Sequence, residues 1–419
     1  MNSPVFDERA PGHTRDDAPL TEALRRIHAQ ITPIEGRESI RLQDALGRVL
    51  AEPVQAPIDV PAHDNAAMDG WALRSADLRG QGETHLRAVG SARAGVPFLG
   101  TVRAGEAVRV MTGTMMPTGT DTVVMQEAVT LNGDTLQIPV GTRPGQHRRV
   151  RGEDLKQGAV ALPAGRLLRP ADLGLLASLG VPTVPVRPRL RVAFFSSGDE
   201  LRSIGDPLPP GCIYDSNRYT LHAMLTRLGL AVVDLGVVRD TPEALEATLL
   251  QASTAADVIL SSGGVSVGDA DYTRTVMARL GEVDFWRIAM RPGRPMAFGR
   301  IGRTPYFGLP GNPVAVMVTF LMLVREALLQ RAGAQTEPIL PVQVRCLDAL
   351  GKRIGRTEFL RAVVRPGPDG QLEARTTHDQ GSGVLRSMSE ANALLRLPPE
   401  TGPVAAGDWV EALLFEGLI

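Results

Sequence analysis

The sequence predicts an α/β-plus-β chain of several domains: a central parallel-sheet α/β domain, a β-rich domain inserted before it and a β domain after it. Three observations carry this expectation. At 419 residues the chain exceeds one ordinary core, since roughly 150 residues make a domain. From Leu190, continuous apolar runs of strand length alternate with helical stretches, the pattern of a parallel sheet covered on both faces. On either side of that region, short apolar runs are separated by Gly, Pro and Asn-Gly turns, as in β domains.

The elements follow in order. Residues 1–18 are polar and are expected to be disordered. Residues 19–56 and 154–188 read as one discontinuous helical and extended lead-in domain. Its "PLTEALRRIHAQI" puts Leu20, Leu24, Ile27 and Ile31 on one helical face. A second helix is expected from Pro170, where proline suits the first turn. Between them, 57–153 is the β-rich insertion, with "THLRAVG", "AVRVMTG", "DTVVMQEAV" and "TLQIPV" as strands.

Residues 189–337 form the α/β domain, with "LRVAFFSSGDEL", "AVVDLGVVRD", "DVILSSGG" and "VDFWRIAM" as strands of one parallel sheet. Such a sheet binds ligands beyond the carboxyl ends of its strands. "GLPGNPVAVMVTFLMLVREALL" closes the domain: Asn312 can cap, Pro313 takes the first turn, and an apolar helix follows. Its run at 314–324 is too short to span a bilayer and reads as a buried helix. Residues 338–419 make the last β domain.

Composition excludes several classes. A net charge of -1 gives no field for general nucleic-acid binding. Cys212 and Cys346 are the only cysteines and the seven histidines form no HxH or HxxxH pair, so disulfide scaffolds and zinc sites lack ligands. A reducing, cytoplasmic location fits, and "MNSPVFDERAPGHTRDD" is no secretory signal. No Walker P-loop occurs.

The chemistry concentrates at the expected strand ends. "SSGGVSVGDADYT" (261–273) combines a Gly/Ser loop, whose amides can approach an anion, with Asp269 and Asp271. Carboxylates beside an anion site require a divalent cation between them, and Asp oxygen suits Mg²⁺. Asp199 and Glu200 of "SSGDE" and Asp240 of "VVRD" fall in the neighbouring loops, so the acids can converge on one metal; helix caps are the alternative each leaves open. "MRPGRP" sets Arg291 and Arg294 around a Pro-Gly turn, two guanidinium forks for a tetrahedral oxyanion or a solvated turn. Asp69 of "NAAMDGWA" and Thr112 of "VMTGT" read alone as turn residues.

Together with "RGEDL", "YDSNRYTL", "RPGRPMAFG" and "LPGNPVAV", these motifs resemble, in matching order over about residues 20–419, the molybdopterin molybdenumtransferase family: MoeA of bacteria and the gephyrin E domain of animals. The resemblance implies an elongated four-domain homodimer with a molybdopterin-binding α/β domain and a barrel-like last domain. It implies Mg²⁺-dependent insertion of molybdate into adenylylated molybdopterin, releasing AMP, in a cleft completed by the second domain of the partner subunit. By motif, Asp69, Thr112, Asp154, Glu200, Asp240 and Asp271 match positions associated with activity, and Glu200, Asp240 and Asp271 are the expected Mg²⁺ ligands. Gly263, Gly264, Ser266 and Gly268 match the nucleotide and pyrophosphate site; Arg291, Arg294, Arg361 and Ser382 match the molybdate pocket, with Asn312 alongside. Relatives often carry Lys at the positions of Arg291 and Arg294 and near Arg287, so a bidentate guanidinium replaces a point charge here. The adenylyltransferase that precedes insertion, or a scaffold role, are the alternatives. An adenylyltransferase and maturation proteins of molybdoenzymes are the expected partners; nucleic acid and membrane are not.

Overall fold

The computed structural model describes residues 17–264, 271–336, 338–416 and 418. Its centre is a six-stranded sheet built from β1 (Arg191–Ser197), β2 (Ala231–Val238), β3 (Val258–Ser262), β4 (Gly281–Arg287), β5 (Pro295–Ile301) and β6 (Thr304–Leu309), in the order β2-β1-β3-β6-β5-β4. The first four strands in that order are parallel. β5 alone runs against the others, antiparallel to both β6 and β4, so β4 points the same way as the first four and the sheet is mixed where a wholly parallel one was expected. The short connection between β5 and β6 decides this, because a parallel crossover needs a dozen or more residues.

Alternate side chains of the strands feed two cores, as the period of two demands. Val192 and Phe194 of β1 face α3 (Ser216–Arg227) and the long helix α6 (Pro313–Arg331). Ala193 and Phe195 face α4 (Pro242–Ala255) and α5 (Asp271–Leu280). α6 is long and apolar enough to cross a membrane, which the eleven-residue run alone did not suggest. However, 67% of its apolar window is buried against the sheet. The first helix, α1 (Leu20–Gln30), buries Ala23 and Ile27 in this same core beneath α6. Gln330 of α6 fastens it by donating to the carbonyls of His28 (3.1 Å) and Ile31 (2.9 Å).

Two antiparallel strand pairs, Glu38–Arg41 with Thr183–Val186 and Val54–Gln55 with Val160–Leu162, surround a small separate core. The helix Pro170–Ser178 completes it with Leu176. The insertion between them carries its own six-stranded sheet, with Gly70–Leu73 paired to Glu106–Val110 and Thr122–Met125. Beyond residue 338, the strands Val342–Cys346, Thr357–Pro366, Leu372–Thr376, Ala393–Leu397 and Trp409–Leu414 pair in a closed ring. The last domain is therefore a five-stranded barrel filled by Val344, Ala362, Ala374, Leu395 and Ala412.

One short ladder ties this barrel to the central domain: Met290 and Arg291, just beyond β4, pair in parallel with Thr357 and Glu358. Phe298 packs at a tilt between Trp286 (5.4 Å) and Phe307 (5.0 Å), in the core cluster that also holds Met290 and Phe359. Phe298→Ala is expected to destabilise the central domain by about 3–5 kcal/mol, read as a shift of the denaturant midpoint. An unchanged midpoint would show that the junction does not depend on this ring.

Candidate active site

The strand order places a switch point between β1 and β3, because the chain leaves β1 toward β2 and then crosses back to β3. Beyond their carboxyl ends, and under the mouth of the barrel, lies a cleft of about 1140 Å³. Glu200 and Asp240 line its acidic side, Gly263 and Gly264 its floor, and Arg291, Arg294, Asn312, Arg361 and Ser382 the side toward the barrel.

The floor demands glycine. Gly263 has φ +89°, and a Cβ there would lie 2.3 Å from the carbonyl oxygen of Ser197. Only a residue without a side chain lets β3 turn this sharply against β1, which leaves the loop backbone facing the cleft. Ser266 and Gly268 lie outside the described residues, and of Asp271 only its place as the first residue of α5 is described.

The acids on the rim are held by local bonds. Asp240 Oδ1 accepts from the Ser197 hydroxyl at 2.9 Å, and its backbone amide donates to Asp199 at 3.2 Å. Both Glu200 and Asp240 are exposed, hard oxygen donors. Among the described residues no three His, Cys, Asp or Glu side chains gather closely enough to hold a metal alone. Two carboxylates at an open rim fit Mg²⁺ of the kind that keeps waters and takes its remaining oxygens from substrate phosphates.

The basic side is divided. Arg361 is buried, with Nε donating to Ser387 (3.0 Å) and Nη2 to the carbonyls of Asp379 (3.2 Å) and Gly381 (3.0 Å). Burial pulls its pKa down and the neighbouring Arg291 pushes the same way, while Asp379 opposes. Two guanidinium groups that repel across a cleft attract an oxyanion between them. No described residue accepts from Arg361 Nη1.

Arg294 behaves differently from expectation. Its Nε and Nη2 grip the carboxylate of Asp17 (2.7–3.1 Å), and Arg287 and Arg356 lie 3.4 Å from the same carboxylate. Asp17 belongs to the stretch expected to be disordered, yet its side chain is 2% exposed. This carboxylate thus neutralises Arg294, which lines the cleft as a paired rather than an open cation. Asn312 also departs from its expected role. It stands at the start of α6 without a side-chain cap bond, and its Nδ2 donates to Ser382 Oγ at 2.9 Å instead. The Ser382 carbonyl takes up the amide of Val314, so the barrel supplies the cap.

Asp69, Thr112 and Asp154 do not line this cleft. They are exposed on the N-terminal half, where Asp69 Oδ1 accepts from the Thr112 amide (2.7 Å) and hydroxyl (2.8 Å). These two bonds, the amide first, hold the Asp69 carboxyl below its ordinary pKa.

Sequence reasoning missed Asp17, Asp215, Asn217 and Glu358. Glu358 is 7% exposed and lines the cleft near buried Lys352, whose amine burial pulls below its usual range against the pull of Glu358 and Glu400. The run of buried positions from Thr357 to Phe359 carries no alternation that would mark the acid. Asp215 and Asn217 stand at the start of α3, a position that reads from sequence as an ordinary cap.

Fold and cleft together define a multi-domain α/β protein whose ligand site lies at a sheet switch point and is roofed by a barrel. Three family models cover most of it: the MoeA N-terminal region, domains I and II, over residues 18–180; a probable molybdopterin-binding domain over 193–330; and the MoeA C-terminal region, domain IV, over 343–415. The chain is 41% identical over 403 residues to the molybdopterin molybdenumtransferase of Haemophilus influenzae, covering 96% of this chain and 99% of that one. It is 31% identical to gephyrin of Dictyostelium discoideum, covering 96% of this chain and 63% of gephyrin. The crystal structure of a molybdopterin biosynthesis MoeA protein from Pyrococcus horikoshii superposes with a TM-score of 0.82 at 31% identity, covering 95% of this chain and 100% of that one. The chain belongs to the MoeA family.

Two measurements test the local geometry. Gly263→Ala should destabilise the protein by about 1–3 kcal/mol from the left-handed backbone alone, seen as a lower melting temperature. An unaltered melt would mean the turn relaxes freely. Because folding lowers the Asp69 pKa below 3.8, the Asp69–Thr112 contact stabilises above that pH and its contribution is lost as pH falls through the lowered value. Thr112→Val keeps the amide donor and removes the hydroxyl, so the Asp69 titration followed by carboxyl NMR should move part of the way back up. A titration that stays in place would assign the whole shift to the amide.

Proposed function

We propose that this chain is the transferase that inserts molybdenum into adenylylated molybdopterin, taking molybdate and releasing AMP in a Mg²⁺-dependent step late in molybdenum cofactor biosynthesis. The observation that carries the reading is a single cleft, in a chain of the MoeA family, with carboxylates on one wall and unshared guanidinium donors on the other. A polyphosphate ester and an oxyanion are both anionic and need separate sites, one working through a cation and one through arginine.

Glu200 and Asp240, with Asp271, are the groups that would hold Mg²⁺. When bound, the cation supplies neutralisation of the charge that builds as the pyrophosphate link is cleaved. The amides around Gly263 and Gly264, continuing through Ser266 and Gly268, would cradle the phosphates. Arg361 Nη1 and Arg291 would grip molybdate, and Asn312 would orient the Ser382 hydroxyl toward it. Arg294 would act through Asp17 rather than by direct contact.

Asp69, Thr112 and Asp154 stand apart from the cleft of one chain, and a homodimer in which a second copy presents them would bring them to it. Such an enzyme would work in the cytoplasm, beside an adenylyltransferase that makes its substrate and maturation proteins that take its product.

The test is AMP release by the full chain given adenylylated molybdopterin, with and without molybdate and Mg²⁺. Release should require both, and Asp240→Asn should lower kcat by roughly a hundredfold while leaving the melting temperature in place. Release without molybdate, or a fully active variant, would overturn the reading. ATP consumption with molybdopterin would point to the adenylyltransferase.

A further inference from the structure

Two residues that line the cleft each carry a buried oxygen atom with no donor among the described residues. Asp215 caps α3, its Oδ1 accepting from the Arg218 amide at 3.1 Å, and it is 2% exposed. Its second oxygen, Oδ2, accepts from nothing among the described residues. Asn217, 8% exposed, donates through Nδ2 to Ser262 Oγ (2.8 Å) and to the Gly311 carbonyl (2.7 Å). A carbonyl can only accept, so the amide cannot be turned around, and Asn217 Oδ1 is left as a second acceptor without a partner among the described residues. Both residues line the cleft.

Buried acceptors are seldom left unpaired, because their desolvation is not returned unless a donor arrives. The Arg218 side chain reaches elsewhere, its Nε to Asp234 at 2.9 Å and its Nη1 to Ser203 at 3.3 Å. A phosphate or molybdate oxygen cannot serve either, since it would set acceptor against acceptor. The carboxylate of Asp215 also fills the anion position that the end of α3 would otherwise offer.

We infer that Asp215 Oδ2 and Asn217 Oδ1 form a subsite for the N–H edge of a 2-amino-4-oxopyrimidine ring, the edge that a pterin presents through its 2-amino group and N3–H. That edge carries adjacent donors, whereas the amino group of adenine stands beside an acceptor nitrogen, so the pair favours the pterin end of the ligand over the nucleotide end. Asn217 joins the subsite to the glycine floor through Ser262, the residue before Gly263, which sets pterin recognition next to the phosphate cradle. The inference rests on the substrate proposed above and adds which chain atoms read its heterocycle.

The full chain is titrated with 6-hydroxymethylpterin, followed by its fluorescence, and with the matching lumazine, which has an oxygen in place of the 2-amino group; AMP and Mg²⁺ are titrated separately. The wild-type chain should bind the pterin roughly tenfold or more tighter than the lumazine, because a site built to accept N–H groups rejects the analogue lacking one. Asp215→Ser keeps a cap oxygen and removes Oδ2, and Asp215→Asn turns that acceptor into a donor. Both should erase the preference for pterin while AMP and Mg²⁺ affinities stay unchanged. Equal binding of the two heterocycles by the wild-type chain would overturn the inference without recourse to any variant. So would a loss confined to AMP, which would place adenine at the pair, or one confined to Mg²⁺, which would make it a cation site. Wild-type preference for pterin without molybdate-dependent AMP release would leave the subsite standing and remove the proposed reaction; release without the preference would do the reverse.

Discussion

The ladder in which Met290 and Arg291 pair with Thr357 and Glu358 holds the barrel over the carboxyl ends of β1, β3 and β6. A parallel pair two residues long is weak in isolation, and it persists because both flanks are buried, Met290 in the central core and Phe359 in the same cluster. Its consequence is geometric. The strand that carries Arg361 begins beside Arg291, so two guanidinium groups distant in the chain come to face one space. Without that pairing the central domain would keep its acidic rim and glycine floor but would lose its basic wall.

Charge in the cleft is arranged by pairing as much as by position. Asp17 draws three arginines together, and a buried carboxylate in such a nest is tolerable only because each guanidinium supplies fixed donors. The effect is to separate the arginines into a structural group around Asp17 and a cleft-facing pair, Arg291 and Arg361. Both Arg and Lys carry the same charge, but only the planar fork lets Arg294 hold both oxygens of Asp17 at once. The choice of arginine in a chain whose only lysines are Lys156 and Lys352 thus has a structural role at this site.

The acid-bearing loops were legible because the reasoning needed only local information. An apolar run of strand length, followed by Gly, Ser and Asp, places the acid at a strand end wherever the strand lies in the sheet. Glu200, Asp240, Gly263 and Gly264 follow that rule and share the cleft. Asp17, Asp215 and Asn217 were not legible, since a polar residue before a helix looks the same whether it caps in solvent or is buried under another domain. The diversion of Asn312 from capping to Ser382 likewise depends on a neighbour far away in the chain.

The sequence by itself determined the alternation of strands and helices, the glycine turn and the chemistry of each loop, because these depend on residues a few positions apart. Only the tertiary structure decided which loops meet, which arginines remain open to a ligand, and which buried acceptors lack a donor. Those outcomes turn on pairings such as Arg291 with Glu358 and Arg294 with Asp17, where the partner is selected by packing across the whole fold and leaves no periodic trace in the chain.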